Sequence, residues 1–89
     1  MNEVNTVLRE AEMLVDGPRK ARYGHPSKSF KQIAVLWSEV LGIQVTADQV
    51  VMCLIMMKMS REINVKKRDN IVDIAGYARV YEMLNEEYD

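Results

Sequence analysis

The sequence has a single cysteine, Cys53, and a single histidine, His25. One cysteine excludes an internal disulfide framework, and without a second Cys or His at ligand spacing there is no zinc site. With one histidine, a hydrolase triad has nothing to spare for other duties. The four glycines are scattered, so no phosphate-cradling glycine loop exists. The longest apolar run, Val50 to Met57, is too short to span a bilayer. The opening MNEVNTVLREAE is acidic and lacks a signal core, which places the expectation in the cytoplasm. Neither charge sign is in excess: 12 bases meet 13 acids, for a net charge of -1. No global bias toward nucleic acid follows, and no groove-reading motif accompanies the basic stretches, so sequence-specific DNA binding is not expected.

What is present is an ordinary globular balance, 48% apolar and 28% charged, in 89 residues. That length predicts one domain over residues 1–89. A single core of this size is marginal, so further burial by self-association, as a homodimer or a higher homo-oligomer, is expected.

Apolar periodicity predicts four helices and no strand. The first covers Glu3 to Asp16, with Val4, Val7, Leu8, Ala11, Leu14 and Val15 on one stripe. Gly17 and Pro18 stop it. A basic loop from Gly17 to Pro26 follows, and the second helix is predicted to start with Ser27 as cap. Its apolar face is Phe30, Ile33, Ala34, Trp37 and Leu41, and Gly42 closes it. The third helix carries a capping box, Thr46 to Gln49, with Val45 and Val50 placed as a hydrophobic staple. Its run VVMCLIMM is apolar on every side, which predicts the central helix, covered by the other three or by a second subunit. The fourth is predicted from Asp69 to about Glu87, along Ile71, Ile74, Ala75, Ala78, Tyr81 and Leu84 or Asn85. The fold class is therefore an all-α, four-helix domain with short connections.

Charge is polarised along the chain. Ten of the 12 bases lie in two stretches: Arg19, Lys20, Arg22, Lys28 and Lys31, then Lys58, Arg61, Lys66, Lys67 and Arg68. Asp69 and Asp73 stand one turn apart on the last helix and share a face. Asp69 has an ordinary role open to it at a helix start. Asp73 sits within IVDIAGYA, where an ionised carboxylate needs a partner. That partner is either Lys58 or Arg61 on the preceding helix, or a divalent cation or substrate. Lys58 can snorkel, pair with Asp73 or meet a phosphate. Gly76 costs about 1 kcal/mol mid-helix relative to Ala, which a helix crossing or a close ligand would explain. His25, among Arg19, Lys20 and Arg22 and just before a helix start, reads as a surface residue or as part of an anion site. Trp37 reads as core or as a stacking platform.

Taken in series, these residues are familiar: Tyr23-Gly24-His25-Pro26, then Phe30 with Ile33, Ala34, Leu36 and Trp37, then a Met-rich helix ending in Lys58 and Arg61, then Arg68-Asp69-Asn70 and Asp73-Ile74-Ala75-Gly76-Tyr77-Ala78. The series resembles a family of short, mostly phage-encoded helical domains of unknown function, over about residues 8 to 85. That family is similar to the nucleotide-modification-associated domain and, more distantly, to MazG-like nucleoside triphosphate pyrophosphohydrolases.

The resemblance implies a MazG-like helical fold completed by oligomerisation and a nucleotide or other phosphate-bearing ligand. The two basic stretches predict one phosphate or nucleotide site where Arg22, Tyr23 and His25 approach Lys58, Arg61, Arg68 and the Asp69 end of the last helix, with Asp69 and Asp73 at Mg2+ or at a base or sugar edge. MazG-like enzymes hold magnesium with a Glu-x-x-Glu pair and a Glu-x-x-Asp pair. Asp69 and Asp73 match the second pair at a spacing of four rather than three. The first pair is missing: Glu39 has no acid three residues away, Glu10 and Glu12 are two apart, and Lys58 and Arg61 stand where an acidic face is wanted. A fold that binds nucleotides without hydrolysing them fits these residues better than a complete Mg-dependent pyrophosphohydrolase. The alternative is a non-catalytic phage interaction or anti-defence protein that binds a host protein or sequesters a nucleotide signal. Either acts in the host cytoplasm if phage-encoded.

Overall fold

A computed structural model of the chain describes residues 5–18 and 24–86. Within them lie four helices and no strand: α1 (Val7–Asp16), α2 (Pro26–Leu41), α3 (Ala47–Asn64) and α4 (Arg68–Leu84). Each start has a local cause. At α1, the Thr6 side chain accepts from the Arg9 amide. At α3 both halves of the capping box form, Thr46 Oγ1 accepting from Gln49 N at 3.2 Å and Gln49 Oε1 from Thr46 N at 2.9 Å. Gly42 ends α2 in the left-handed region, φ 70°. Ser38 Oγ then accepts from Val45 N at 2.8 Å and fastens the turn into α3.

The start of α2 differs from the sequence expectation. Pro26 is its first residue and His25, not Ser27, is the cap. Proline at the first position has no amide to leave unpaired. The imidazole Nδ1 takes the Ser27 amide at 3.1 Å, the bond a serine hydroxyl was expected to make for a later amide.

The start of α4 has no cap from its own N-cap residue, Lys67. Glu62, from the last turn of α3, replaces it. Its Oε1 accepts from Lys67 N at 2.9 Å and from Asn70 Nδ2 at 3.2 Å. Asn70 is the buried polar side chain of the core, 7% exposed, so these bonds are what make its burial tolerable. The two hydrogen bonds hold the Glu62 carboxyl below its ordinary 4.5, the Lys67 amide contributing most.

The central helix is α4, not α3. It packs on α1, α2 and α3, most extensively on α1 and α3. Its buried residues are Asn70, Val72, Gly76, Val80 and Met83. The stripe expected from periodicity, Ile71 to Tyr81, is half-buried or exposed instead. Because neighbours cover α4 from more than one side, its apolar residues are not confined to one arc, and periodicity picks the wrong one. In α3 only Val50 and Val51 are fully buried, while Met52, Met56, Met59 and Ile63 face outward. An all-round apolar composition therefore marks a helix with an uncovered face. Leu8 and Leu14 of α1 and Leu41 of α2 are also exposed, although each was assigned to an inner face.

Long-range ion pairs clamp α1 to α4 at both ends. Near the start of α4, the Arg68 guanidinium meets Glu10 and donates to the Asn5 carbonyl at 2.8 Å. Further along, Arg79 grips Asp16 with two bonds, Nε–Oδ2 at 2.8 Å and Nη2–Oδ1 at 3.0 Å. A bidentate arginine fixes orientation as well as distance. These carboxylates hold the Arg79 guanidinium well above its ordinary value, Asp16 contributing first and Glu82 second. The far end of α4 is tied to the start of α3 by Asn85 Nδ2, which donates to Asp48 Oδ1 at 3.0 Å. No helix among the described residues is long and apolar enough to cross a membrane.

Candidate functional site

Helix α4 carries the chemistry by displaying Asp73, Gly76, Tyr77 and Val80 along one side. Residues three and four apart stack on a helix, so Asp73, Gly76, Tyr77 and Val80 form a continuous strip. Ala11, Leu14, Val15 and Pro18 approach from the α1 side, and Phe30 from α2. Together they line a groove of about 450 Å³. That volume suits a small organic ligand, and its walls are apolar with one carboxylate, the usual make-up of such sites. Phe30 and Tyr77 contribute aromatic surface. Gly76 opens the floor: a Cβ there would stand 3.5 Å from Val15 Cγ2, an ordinary contact. A close helix crossing therefore does not demand glycine at this position.

Asp73 is the polar element of the groove. Its Oδ2 lies 2.7 Å from Lys58 Nζ on α3. The Lys58 side chain is only 15% exposed and that of Asp73 38%. The expected cross-helix pair thus forms, with the cation the more deeply buried partner. A largely desolvated ammonium needs this carboxylate. Arg61, one turn further along α3, is exposed and makes no ion pair among the described residues.

The other expected site residues are dispersed. Asp69 is exposed in the first turn of α4. Arg68 spends its guanidinium on Glu10 and the Asn5 carbonyl. His25 lies at the opposite end of α4. There its Nε2 is 2.8 Å from Glu86 Oε1. Because Nδ1 accepts from the Ser27 amide, the ring proton sits on Nε2 and is donated to Glu86. A 17-residue helix is about 25 Å long, so the His25 loop and the Arg68-Asp69 end do not share one pocket. A second groove, of about 730 Å³, lies at the His25 end and is lined by His25, Ser27, Lys31, Asn85 and Glu86 with Met83 and Leu84. Arg22 and Tyr23 lie outside the described residues.

No group of three or more His, Cys, Asp or Glu that could hold a metal ion occurs among the described residues. Asp73 is engaged by Lys58, and Asp69, one turn before it, is exposed. Sequence reasoning had isolated Lys58 and Asp73 but missed the groove they edge. The available signal was Tyr77, four residues after Asp73, with Gly76 beside it.

The chain matches the Domain of unknown function DUF6378 over residues 6–85. It belongs to that family. It is 39% identical over 83 residues to the Gene 55 protein of Mycobacterium phage D29, covering 92% of this chain and 55% of that protein. It is 35% identical over 81 residues to the Gene 55 protein of Mycobacterium phage L5, covering 89% and 52%. The chain thus spans about half the length of these phage relatives. No solved structure matches it.

Proposed function

We propose that this DUF6378 domain is a nucleotide-binding module that seats its ligand in the α1–α2–α4 groove and does not hydrolyse it. The observation that carries the reading is the Asp73–Lys58 pair at the edge of an apolar groove containing Phe30 and Tyr77. A base fits against the aromatic and aliphatic walls. Asp73 accepts from a base N–H or a sugar hydroxyl. Lys58 and Arg61, which makes no ion pair among the described residues, lie on the α3 side, toward which phosphates would point. Magnesium enters as a companion of the phosphates: it commonly keeps several waters and takes only one or two carboxylates beside phosphate oxygens, and Asp69 is exposed to provide one. The likeness to MazG-like pyrophosphohydrolases belongs to this reading, without their reaction, because the first acidic pair is missing. The host cytoplasm is where a phage protein of this kind would meet nucleotides.

Calorimetric titration of nucleoside triphosphates, with and without magnesium, tests this. A Kd well below 1 mM is expected, weakened several-fold in Arg61→Ala and in Asp73→Asn. No binding tighter than about 1 mM, worth about -4 kcal/mol, overturns it. A second reading, a non-catalytic protein that binds a host protein, draws on the uncharged outer face of α3. It predicts no nucleotide binding at all.

A further inference from the structure

We propose that the α1–α2–α4 groove selects guanine among the nucleobases and that Asp73 is the residue that reads it, which rests on a nucleotide being the ligand of that groove. Asp73 is the one charged side chain lining the groove among the described residues, and the Tyr77 hydroxyl is the one other polar group on a lining side chain. The pair with Lys58 uses Oδ2, at 2.7 Å, and the carboxylate makes no other hydrogen bond or ion pair among the described residues. Its side chain is 38% exposed, so a ligand can reach it. Tyr77 stands four residues on, on the same face of α4, and Phe30 approaches from α2. A base is the flat part of a nucleotide, and it stacks on an aromatic ring whatever its identity, because every base has a π face. A base lying on Tyr77 turns an edge toward Asp73, whereas a sugar has no flat face to hold it there. The choice between bases then falls to the carboxylate.

A carboxylate only accepts hydrogen bonds, and it has two oxygens side by side to do so. Guanine carries two N–H groups side by side on one edge, at N1 and on the 2-amino group. Adenine and cytosine place a ring-nitrogen acceptor beside their amino group, and uracil encloses its one N–H between two carbonyls. Each of these sets a lone pair against the second oxygen. Guanine pairs with both, and hydrogen bonds to an ionised acceptor are the strong ones. The Lys58 ammonium on Oδ2 balances the charge of Asp73 without filling it, since a carboxylate offers about four lone-pair sites. The edge that completes the site is thus a neutral pair of donors rather than a cation.

Calorimetric titration of the full chain with GTP, ITP, ATP and CTP, each with magnesium, tests the proposal. GTP is expected to bind about tenfold or more tighter than ATP and CTP, a factor within reach of one bidentate contact. ITP, which keeps N1–H and lacks the 2-amino group, is expected between them. In Asp73→Asn one acceptor becomes a donor, and the advantage of GTP over ATP is expected to vanish. The wild-type series decides by itself if that variant does not fold. A smaller GTP advantage in the wild type, or one that a folded Asp73→Asn retains, overturns the assignment and leaves a nucleotide module that does not read its base through Asp73. No binding of any of the four tighter than about 1 mM removes the nucleotide reading together with it.

Discussion

At the scale of single residues, the groove is set by one omission and one pair. Gly76 omits a side chain where packing would accept one, since an added Cβ meets only Val15 Cγ2 at 3.5 Å. Gly76→Ala should therefore raise stability by up to about 1 kcal/mol through helix propensity. For a domain this small, that corresponds to a Tm gain of about 4–8 °C. In the same variant the methyl group intrudes on the groove floor, so nucleotide affinity should fall. Thermal melts and titration on the one protein read both signs, and a loss of stability with unchanged affinity would show that the glycine serves packing. Asp73→Asn tests the pair less cleanly. It leaves the Lys58 ammonium without its counter-ion, and although Asp73 is partly solvated the variant should lose about 1–2 kcal/mol in denaturant titration. The pair itself was legible in the sequence, because a mid-helix acid in an apolar stretch faced the cations of the preceding helix. The partners of Arg68 and Arg79 were not: Glu10 and Asp16 are 58 and 63 positions away, and no local pattern announces a bond across that distance.

Among the elements, local chemistry and tertiary context had unequal success. The capping box at Thr46 was readable because both of its hydrogen bonds close within four residues. The cap of α2 was misread because Ser27 and His25 compete for the same role, and only the fold brings Glu86 to the far side of the imidazole. The cap of α4 could not be read locally, since Glu62 belongs to another helix. That substitution has a pH consequence. The folded-state pKa of Glu62 is lowered, so its ionised form stabilises the native state above the ordinary carboxylate value. The contribution disappears as pH falls through the depressed native value. Melts recorded from pH 6 to pH 3 should show Glu62→Gln losing less stability on acidification than the wild type. Parallel curves would mean that the carboxylate does not support the α3–α4 junction. The exchange of central helix between α3 and α4 has a similar origin. Composition reports how apolar a helix is, but not how many neighbours it has.

Over the whole molecule, α4 serves as a spine: its middle forms the floor of the groove, its ends are held by Arg68–Glu10 and Asn85–Asp48, and α3 packs beside it with an apolar outer face. The all-α class and the four helices of the described residues were legible from periodicity and stop signals. The groove was not, because it is assembled from α1, α2 and α4, whose contributing residues look like ordinary core positions in sequence. Of the described residues expected at one phosphate site, His25 lies at the Glu86 end of α4 and Arg68 and Asp69 at its start. The central claim is thus that the ligand site is the α1–α2–α4 groove, not the His25 loop. Its most direct test is a nitrogen-15 chemical-shift map of the chain during titration with a nucleoside triphosphate and magnesium. The account predicts saturable shifts concentrated at Ala11 to Pro18, Phe30 and Val72 to Val80, with Arg61 following. Shifts confined to His25, Lys31 and Glu86, or none at millimolar nucleotide, would contradict it.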